Sequence, residues 1–199
     1  MKIFGDSISG NCLKVKWTAD HLGLAYDWVE TGVLKGATRT PAFLALNPAG
    51  QVPLVILDDG RPLAQSNAII LHLARGSDLI PRDPYLEARM LEWMFWEQYS
   101  HEPYVAVARF RIRYLGRDRA DLDPDLLRRA EGALDHLEGA LTAQDWLVGS
   151  TFSLADMALF PYTRFAPEAG FVLDKWPAVA AWVARCETVL GLPALGTPS

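Results

Sequence analysis

Ser9-Gly10-Asn11-Cys12 has the length of a Cys-x-x-Cys redox motif, but a hydroxyl stands where the attacking thiol belongs. The first cysteine of such a motif is the nucleophile, so the missing thiol argues against thiol–disulfide exchange through Cys12. Cys12 and Cys186 are the only two cysteines, too few for a disulfide scaffold or a four-thiolate zinc centre. Cys12 reads as a helix residue facing a sheet, and Cys186 lies in an apolar stripe. His72 and His101 have no companions at metal-ligand spacing, so no metal site is expected. Ser66 can cap a helix through Ile69, Ile70 and Leu73. A helix start of this kind offers unpaired N–H groups and the positive end of the dipole, which favour an anion. Ser153 and Asp156 stand three apart before an apolar run, a capping-box spacing with Asp in place of Glu. That pair reads as a folding determinant rather than a catalyst.

Positioning these residues requires two kinds of architecture. Residues 1–77 alternate element types. Lys2-Ile3-Phe4 reads as a strand, Gly5 to Asn11 as a polar turn, and the run from Cys12 to Leu22 as a helix stopped by Gly23. Ala25 to Thr31 reads as a second strand, and Pro41 to Leu46 as a short helix with proline in its first turn. Asn47-Pro48-Ala49-Gly50 is turn chemistry. Pro53 to Leu57 is a third strand, Asp58-Asp59-Gly60 a hairpin turn, and Arg61-Pro62-Leu63 the returning strand. The helix at Ser66 closes the β-α-β-α-β-β-α order, and its first crossover is expected to be parallel and right-handed.

Residues 84–199 read as all helical, four or five helices in a bundle. Residues 84–116 contain no glycine before Gly116, but Pro103 is expected to kink or break that stretch. Asp123-Pro124 opens a helix whose stripe runs Leu126, Leu127, Ala130, Leu134, Leu137 and Leu141. Pro177 opens another, striped by Val179, Trp182, Val183, Cys186 and Leu190. Gly76-Ser77-Asp78, followed by Pro81 and Pro84, marks a boundary near residues 76–84. Net charge changes there from +1 over residues 1–76 to −6 over residues 77–199.

Composition narrows the function. Half of the 199 residues are hydrophobic and 22% are charged, so the chain folds rather than remaining disordered. A net charge of −5 argues against nucleic-acid binding. No apolar run approaches the roughly 20 residues that span a bilayer. The first residues lack the pattern of a secretory signal, and a reducing cytoplasm is the expected location.

Ser9-Gly10-Asn11, Asn47-Pro48-Ala49-Gly50-Gln51-Val52-Pro53, Gln65-Ser66 and the Ser153–Asp156 box together resemble the cytosolic glutathione S-transferases, of the serine type. The likeness runs over essentially the whole chain. It implies an α/β thioredoxin-like N-terminal domain that binds glutathione, followed by an all-α helical-bundle domain. It also implies a homodimer with its active site in the cleft between the domains, with glutathione as co-substrate. Ser9 matches the catalytic serine, whose hydroxyl donates to the glutathione thiolate at a helix N-terminus. Ser7 is the competing hydroxyl. Asn11 either donates its amide to the sulfur or holds the loop. Pro53 is expected in the cis form, so that Val52 pairs its main chain with the cysteinyl backbone. Ser66 is assigned to the γ-glutamyl carboxylate and Gln65 to the ammonium, where many relatives carry Glu. Arg39, with Lys35 in reserve, and Gln51 are assigned to the glycyl end.

The electrophile pocket is expected from the helical domain. Tyr104, Phe110 and Tyr114 are the leading candidates, with Trp96 and Tyr99 beside them. Arg109, Arg111 and Arg113 cannot all share one helical face. The implied reaction is conjugation of the glutathione thiolate to small hydrophobic electrophiles, a detoxification chemistry. The same site supports peroxidase, isomerase, dehalogenase or disulfide-reductase chemistry, and a non-catalytic binding module is the reading from another class.

Overall fold

The computed structural model describes residues 1–194. The chain divides into two compact units, Met1–Ser77 and Asp78–Ser199.

The first unit is built on four strands, β1 (Lys2–Gly5), β2 (Asp27–Glu30), β3 (Leu54–Ile56) and β4 (Pro62–Ala64), in the spatial order β2-β1-β3-β4. β1 and β2 are parallel, with Lys2 opposite Asp27 and Gly5 opposite Glu30. β1–β3 and β3–β4 are antiparallel. Three helices join them: α1 (Gly10–His21), α2 (Pro41–Leu46) and α3 (Ser66–Leu73). α1 and α3 pack together. Ile3, Cys12, Val15, Ala19, Leu54, Val55, Ile69 and Ile70 are fully buried there. The alternating burial along β1 and the helical spacing in α1 and α3 meet in that one core.

Several boundaries differ from the sequence expectation. α1 starts at Gly10 rather than Cys12, because Gly10 and Asn11 already take helical geometry once Ser9 is extended at φ −81° and ψ 122°. β2 is shorter than Ala25 to Thr31, and β4 lies one residue later than expected. Ser66 is not a cap. It is the first helical residue of α3, and Gln65 occupies the cap position with φ 72°.

The second unit contains α4 (Pro84–Trp96), a π-helical segment (Glu97–Ala106), α5 (Val107–Arg113), α6 (Pro124–Leu141), α7 (Leu154–Arg164) and α8 (Pro177–Leu190). Pro103 does not break the helix. The chain passes from α4 to α5 through the π segment that contains it. Wider i→i+5 closure relaxes the clash between a proline ring and the carbonyl four residues earlier. Asp83 accepts from the N–H groups of Tyr85 and Leu86 at the start of α4, and Asp123 from that of Asp125 at the start of α6. α8 has no cap on its own flank. Glu138 of α6 supplies one, accepting from Ala178 N at 3.1 Å and Val179 N at 3.0 Å.

The Ser153–Asp156 box is present in full. Asp156 also accepts from Leu147 N at 3.0 Å and from Trp182 Nε1 at 2.8 Å, so it ties the preceding loop and α8 to the start of α7. Burial pushes its carboxyl above the usual range, while these two donors and the N–H and hydroxyl of Ser153 pull in the opposite direction. Among the described residues, no helix is long and apolar enough to cross a membrane.

Candidate active site

Ser9 lies at the cap position of α1, yet its side chain makes no capping hydrogen bond. Its hydroxyl lies near the Cys12 sulfur, and its one proton is free to turn to a stronger acceptor such as a thiolate. Cys12 is fully buried, and desolvation pushes its thiol up to about 12. That thiol stays protonated at neutral pH, so it is neither a nucleophile nor a competing anion. Cys186 is likewise buried, with its thiol pushed well up by desolvation.

The turn before Ser9 is held by two carboxylates of the strands. Ser7 donates its N–H to Glu30 Oε1 at 3.0 Å, and its hydroxyl bonds the same carboxylate. Ile8 donates its N–H to Asp6 Oδ1 at 3.1 Å, and Ser9 its N–H to the Asp6 carbonyl at 3.0 Å. Burial works against ionisation of Glu30. Trp28 Nε1–H, both Ser7 groups and Lys35 outweigh it and hold the carboxyl below its usual range. The three amides of residues 7–9 are therefore spent inside the fold. Donors for an arriving anion come from the first turn of α1 and from the Ser9 hydroxyl. The competing hydroxyl, Ser7, is engaged by Glu30.

Asn11, in the first turn of α1, accepts at Oδ1 from Ser66 Oγ at 3.1 Å. The hydrogen bond joins the N-terminal ends of α1 and α3, two ends that both favour negative charge. Gln65, just before α3, has the only positive φ of a non-glycine residue among the described residues. An exposed glutamine held there is strained, and strain of this kind collects at ligand-binding turns. Nothing in the residue types signals it, since glycine or asparagine is the usual occupant of such a conformation.

The Val52–Pro53 peptide is cis. No hydrogen bond engages the main chain of Val52 among the described residues, just before β3 begins. Asn47 builds the preceding turn: its side chain accepts from Ala49 N at 3.2 Å and donates to Gln51 O at 2.8 Å. Gly50 closes that turn at φ 61°. A Cβ on Gly50 would stand 2.5 Å from Arg39 Nη1, so the guanidinium lies against the bare main chain of this turn, beside Gln51. Lys35 packs its stem on Gly32 and acts on Glu30, at the Ser7 side. Arg39 and Lys35 thus occupy different edges.

The aromatic candidates of the second unit fall into separate groups. Phe110 and Tyr114 stack at 4.9 Å between centroids. Tyr104 instead accepts from Arg129 of α6 at 3.1 Å, with that guanidinium over its ring. Trp96 packs with Trp93, His101 and His136, and Tyr99 is 82% exposed. Arg109 is buried against Glu168 at 2.9 Å and over Phe165. Arg113, four residues on, approaches the same carboxylate at 3.8 Å, and Arg111 is exposed.

Asp6, Glu30 and Asn47 were missed as organisers of the site. Asp6 and Asn47 each carry a readable signal, a short side-chain oxygen two residues before the amide it accepts from. Glu30 has none, because its partners lie across the sheet.

Sequence models described as glutathione S-transferase N-terminal and C-terminal domains match residues 8–75 and 94–188. Glutathione S-transferase 3 of Zea mays is 31% identical over the whole chain and 97% of its own length. The solved glutathione S-transferase of Pseudomonas fluorescens Pf-5 is 45% identical with a TM-score of 0.93, covering 98% of each chain. That of Xanthobacter autotrophicus Py2 is 44% identical with a TM-score of 0.90, over 98% of this chain and 95% of that one. With both domains matched in order around a four-stranded mixed sheet and a helical second unit, the chain belongs to the glutathione S-transferase family.

Proposed function

We propose that the chain is a serine-type glutathione transferase that conjugates the glutathione thiolate to small hydrophobic electrophiles. The observation that carries this reading is the Ser9 hydroxyl, placed at the start of α1 and spared from capping it. Glutathione thiol ordinarily titrates near ~8.5 and is mostly protonated at neutral pH. A hydroxyl donor together with the α1 dipole stabilises the anion and leaves a nucleophile ready for attack. The Val52 main chain takes the cysteinyl backbone, the α3 N-terminus with Ser66 takes the γ-glutamyl carboxylate, and Gln65 faces the ammonium. Arg39 and Gln51 take the glycyl end. In this reading Asn11 is the strut that aligns the two helix ends. Phe110 and Tyr114, with Tyr104, supply apolar surface for the electrophile. The protonated, buried Cys12 favours conjugation over disulfide reduction. The test is titration calorimetry with reduced glutathione, paired with turnover of 1-chloro-2,4-dinitrobenzene. Absence of glutathione uptake rejects the reading.

Ser66→Ala removes a hydroxyl whose one proton goes to Asn11 Oδ1 in the free protein and turns to the γ-glutamyl carboxylate in the complex. Hydrogen bonds to charged groups contribute about 1.5–3 kcal/mol, so glutathione affinity should fall by about 10- to 100-fold. A calorimetric affinity equal to wild type rejects the assignment.

The chain acts as a homodimer in the cytoplasm in this reading. Tyr85, Phe95 and Tyr99 are 71%, 72% and 82% exposed along α4 and the π segment. The same helix α4 forms, with α6, a groove of about 550 Å³ lined by Arg89, Trp93, Trp96 and His136. Exposed aromatics beside a groove are the makings of an interface. Phe95→Glu should shift the sedimentation equilibrium from dimer to monomer at micromolar concentration. An unchanged mass places the interface elsewhere.

A further inference from the structure

Asp6 is 6% exposed, directly after β1, and accepts three hydrogen bonds from two segments. Oδ1 accepts from Ile8 N at 3.1 Å, inside the turn that leads to Ser9. Oδ2 accepts from Val33 N at 3.3 Å, in the loop after β2. Its carbonyl accepts from Ser9 N at 3.0 Å. An amide side chain offers only one acceptor oxygen, so bridging both loops this way requires a carboxylate. A buried carboxylate is expensive to keep beside a site that must hold a second anion. Capping Ile8 alone calls for no such group, because Asn does that equally well.

We propose that Asp6 is a positioning residue for the transferase reaction, a clamp that fixes the Ser9 hydroxyl against the glutathione sulfur by locking the Ser7–Ser9 turn to the loop after β2. The role rests on the glutathione reading given above. Glu30 completes the clamp on the outer side through Ser7, with Trp28 Nε1–H donating to it at 2.8 Å. The titratable groups around the turn are Asp6, Cys12, Glu30 and Lys35; Cys12 is neutral, so a bound sulfur would feel charge from Asp6, Glu30 and Lys35.

Charge and position predict opposite signs. If Asp6 acts through its negative charge, removing it makes the bound thiol easier to ionise. As a clamp, its removal lets Ser9 drift and makes the thiol harder to ionise. The experiment compares wild type, Asp6→Ala and Asp6→Asn by the pH profile of kcat/KM with 1-chloro-2,4-dinitrobenzene, by glutathione calorimetry, and by amide hydrogen exchange at residues 7–9 and 33. The expected result is a loss of about tenfold in kcat/KM for Asp6→Ala, since small misplacements of a reacting group cost this much or more. The profile midpoint should move up by about one unit while glutathione affinity stays within about threefold. Asp6→Asn keeps the Ile8 bond, folds with the same shape, and should lose about threefold. Exchange at Ile8 and Val33 should quicken in Asp6→Ala, and at Val33 alone in Asp6→Asn. A downward midpoint shift of equal size in both variants overturns the clamp in favour of charge. A lowered melting temperature with an unmoved midpoint overturns it in favour of a structural role. Wild-type protein that takes up no glutathione overturns the transferase reading and the catalytic role with it. Failure of the clamp alone shows as normal wild-type binding with Asp6→Ala turning over at the wild-type rate.

Discussion

Ser9→Ala should lower kcat/KM with 1-chloro-2,4-dinitrobenzene by about 10- to 30-fold at pH 7 while glutathione still binds. A thiol that titrates near ~8.5 is only about 3% ionised at pH 7. The Ser9 hydroxyl and the α1 dipole together are assigned one to two units of stabilisation, roughly 1.4–2.7 kcal/mol. Losing the hydroxyl returns most of the bound tripeptide to the unreactive thiol. The sign with pH follows. The variant's deficit is full well below the wild-type midpoint and shrinks as pH rises past ~8.5, because solvent then removes the proton without help. A deficit that is the same at pH 6.5 and 9.5 therefore speaks against thiol activation, even if turnover falls. Affinity is largely set elsewhere, at Val52, Ser66 and Arg39, so calorimetry should report a change of less than about threefold. Full turnover in Ser9→Ala transfers the role to the Asn11 amide, since Ser7 is occupied by Glu30.

Asp156→Ala carries the largest expected effect on stability. Asp156 is fully buried and receives the N–H of Leu147, the N–H and hydroxyl of Ser153 and the indole N–H of Trp182. Truncation leaves these donors without water or a partner, on top of the void left by the side chain. Each orphaned buried donor costs about 1–3 kcal/mol, and losing one partner from a buried charged network about 3–5 kcal/mol. Set against a total of about 5–15 kcal/mol for a typical protein, that is enough to leave little folded second unit. Asp156→Asn is only slightly milder, because its Nδ2 is a donor facing other donors. Ser153→Ala removes a single cap and should cost about 1 kcal/mol. Denaturant unfolding of the three variants gives the order. An Asp156→Ala midpoint within about 1 kcal/mol of wild type contradicts the network described here.

The sequence showed the elements more readily than their ends. α2 was legible to the residue because Pro41 fixes its start and Asn47 its stop. α6 and α7 were legible because their first turns carry Asp-Pro and Ser-x-x-Asp. α1 was placed two residues late, since Gly10 and Asn11 have poor helix propensity and are held by Ser9 and by the contact with Ser66. Pro103 was expected to kink or break its helix, because the rule for proline assumes α geometry, and the π segment suspends it. At the site, residues inside short motifs could be named. Those that depend on pairing across the sheet, such as Glu30 with Ser7, could not, because register is invisible until the strands are laid side by side. The conformation of Gln65 was hidden for a related reason: it is imposed by its neighbours against the preference of the residue itself.

The π segment also changes how the long helical run can diverge. Hydrogen bonds that span five residues instead of four rotate the chain less per residue, so the side chains from Val107 onward point along compass bearings that an unbroken α-helix would not give them. Deleting one residue between Glu97 and Ala106 therefore acts as a dial. It turns Phe110 and Tyr114 around the axis relative to Phe95 while leaving both flanking helices intact. A chain with this architecture can retune which rings it shows by a single-residue change in length, without touching any residue at either end.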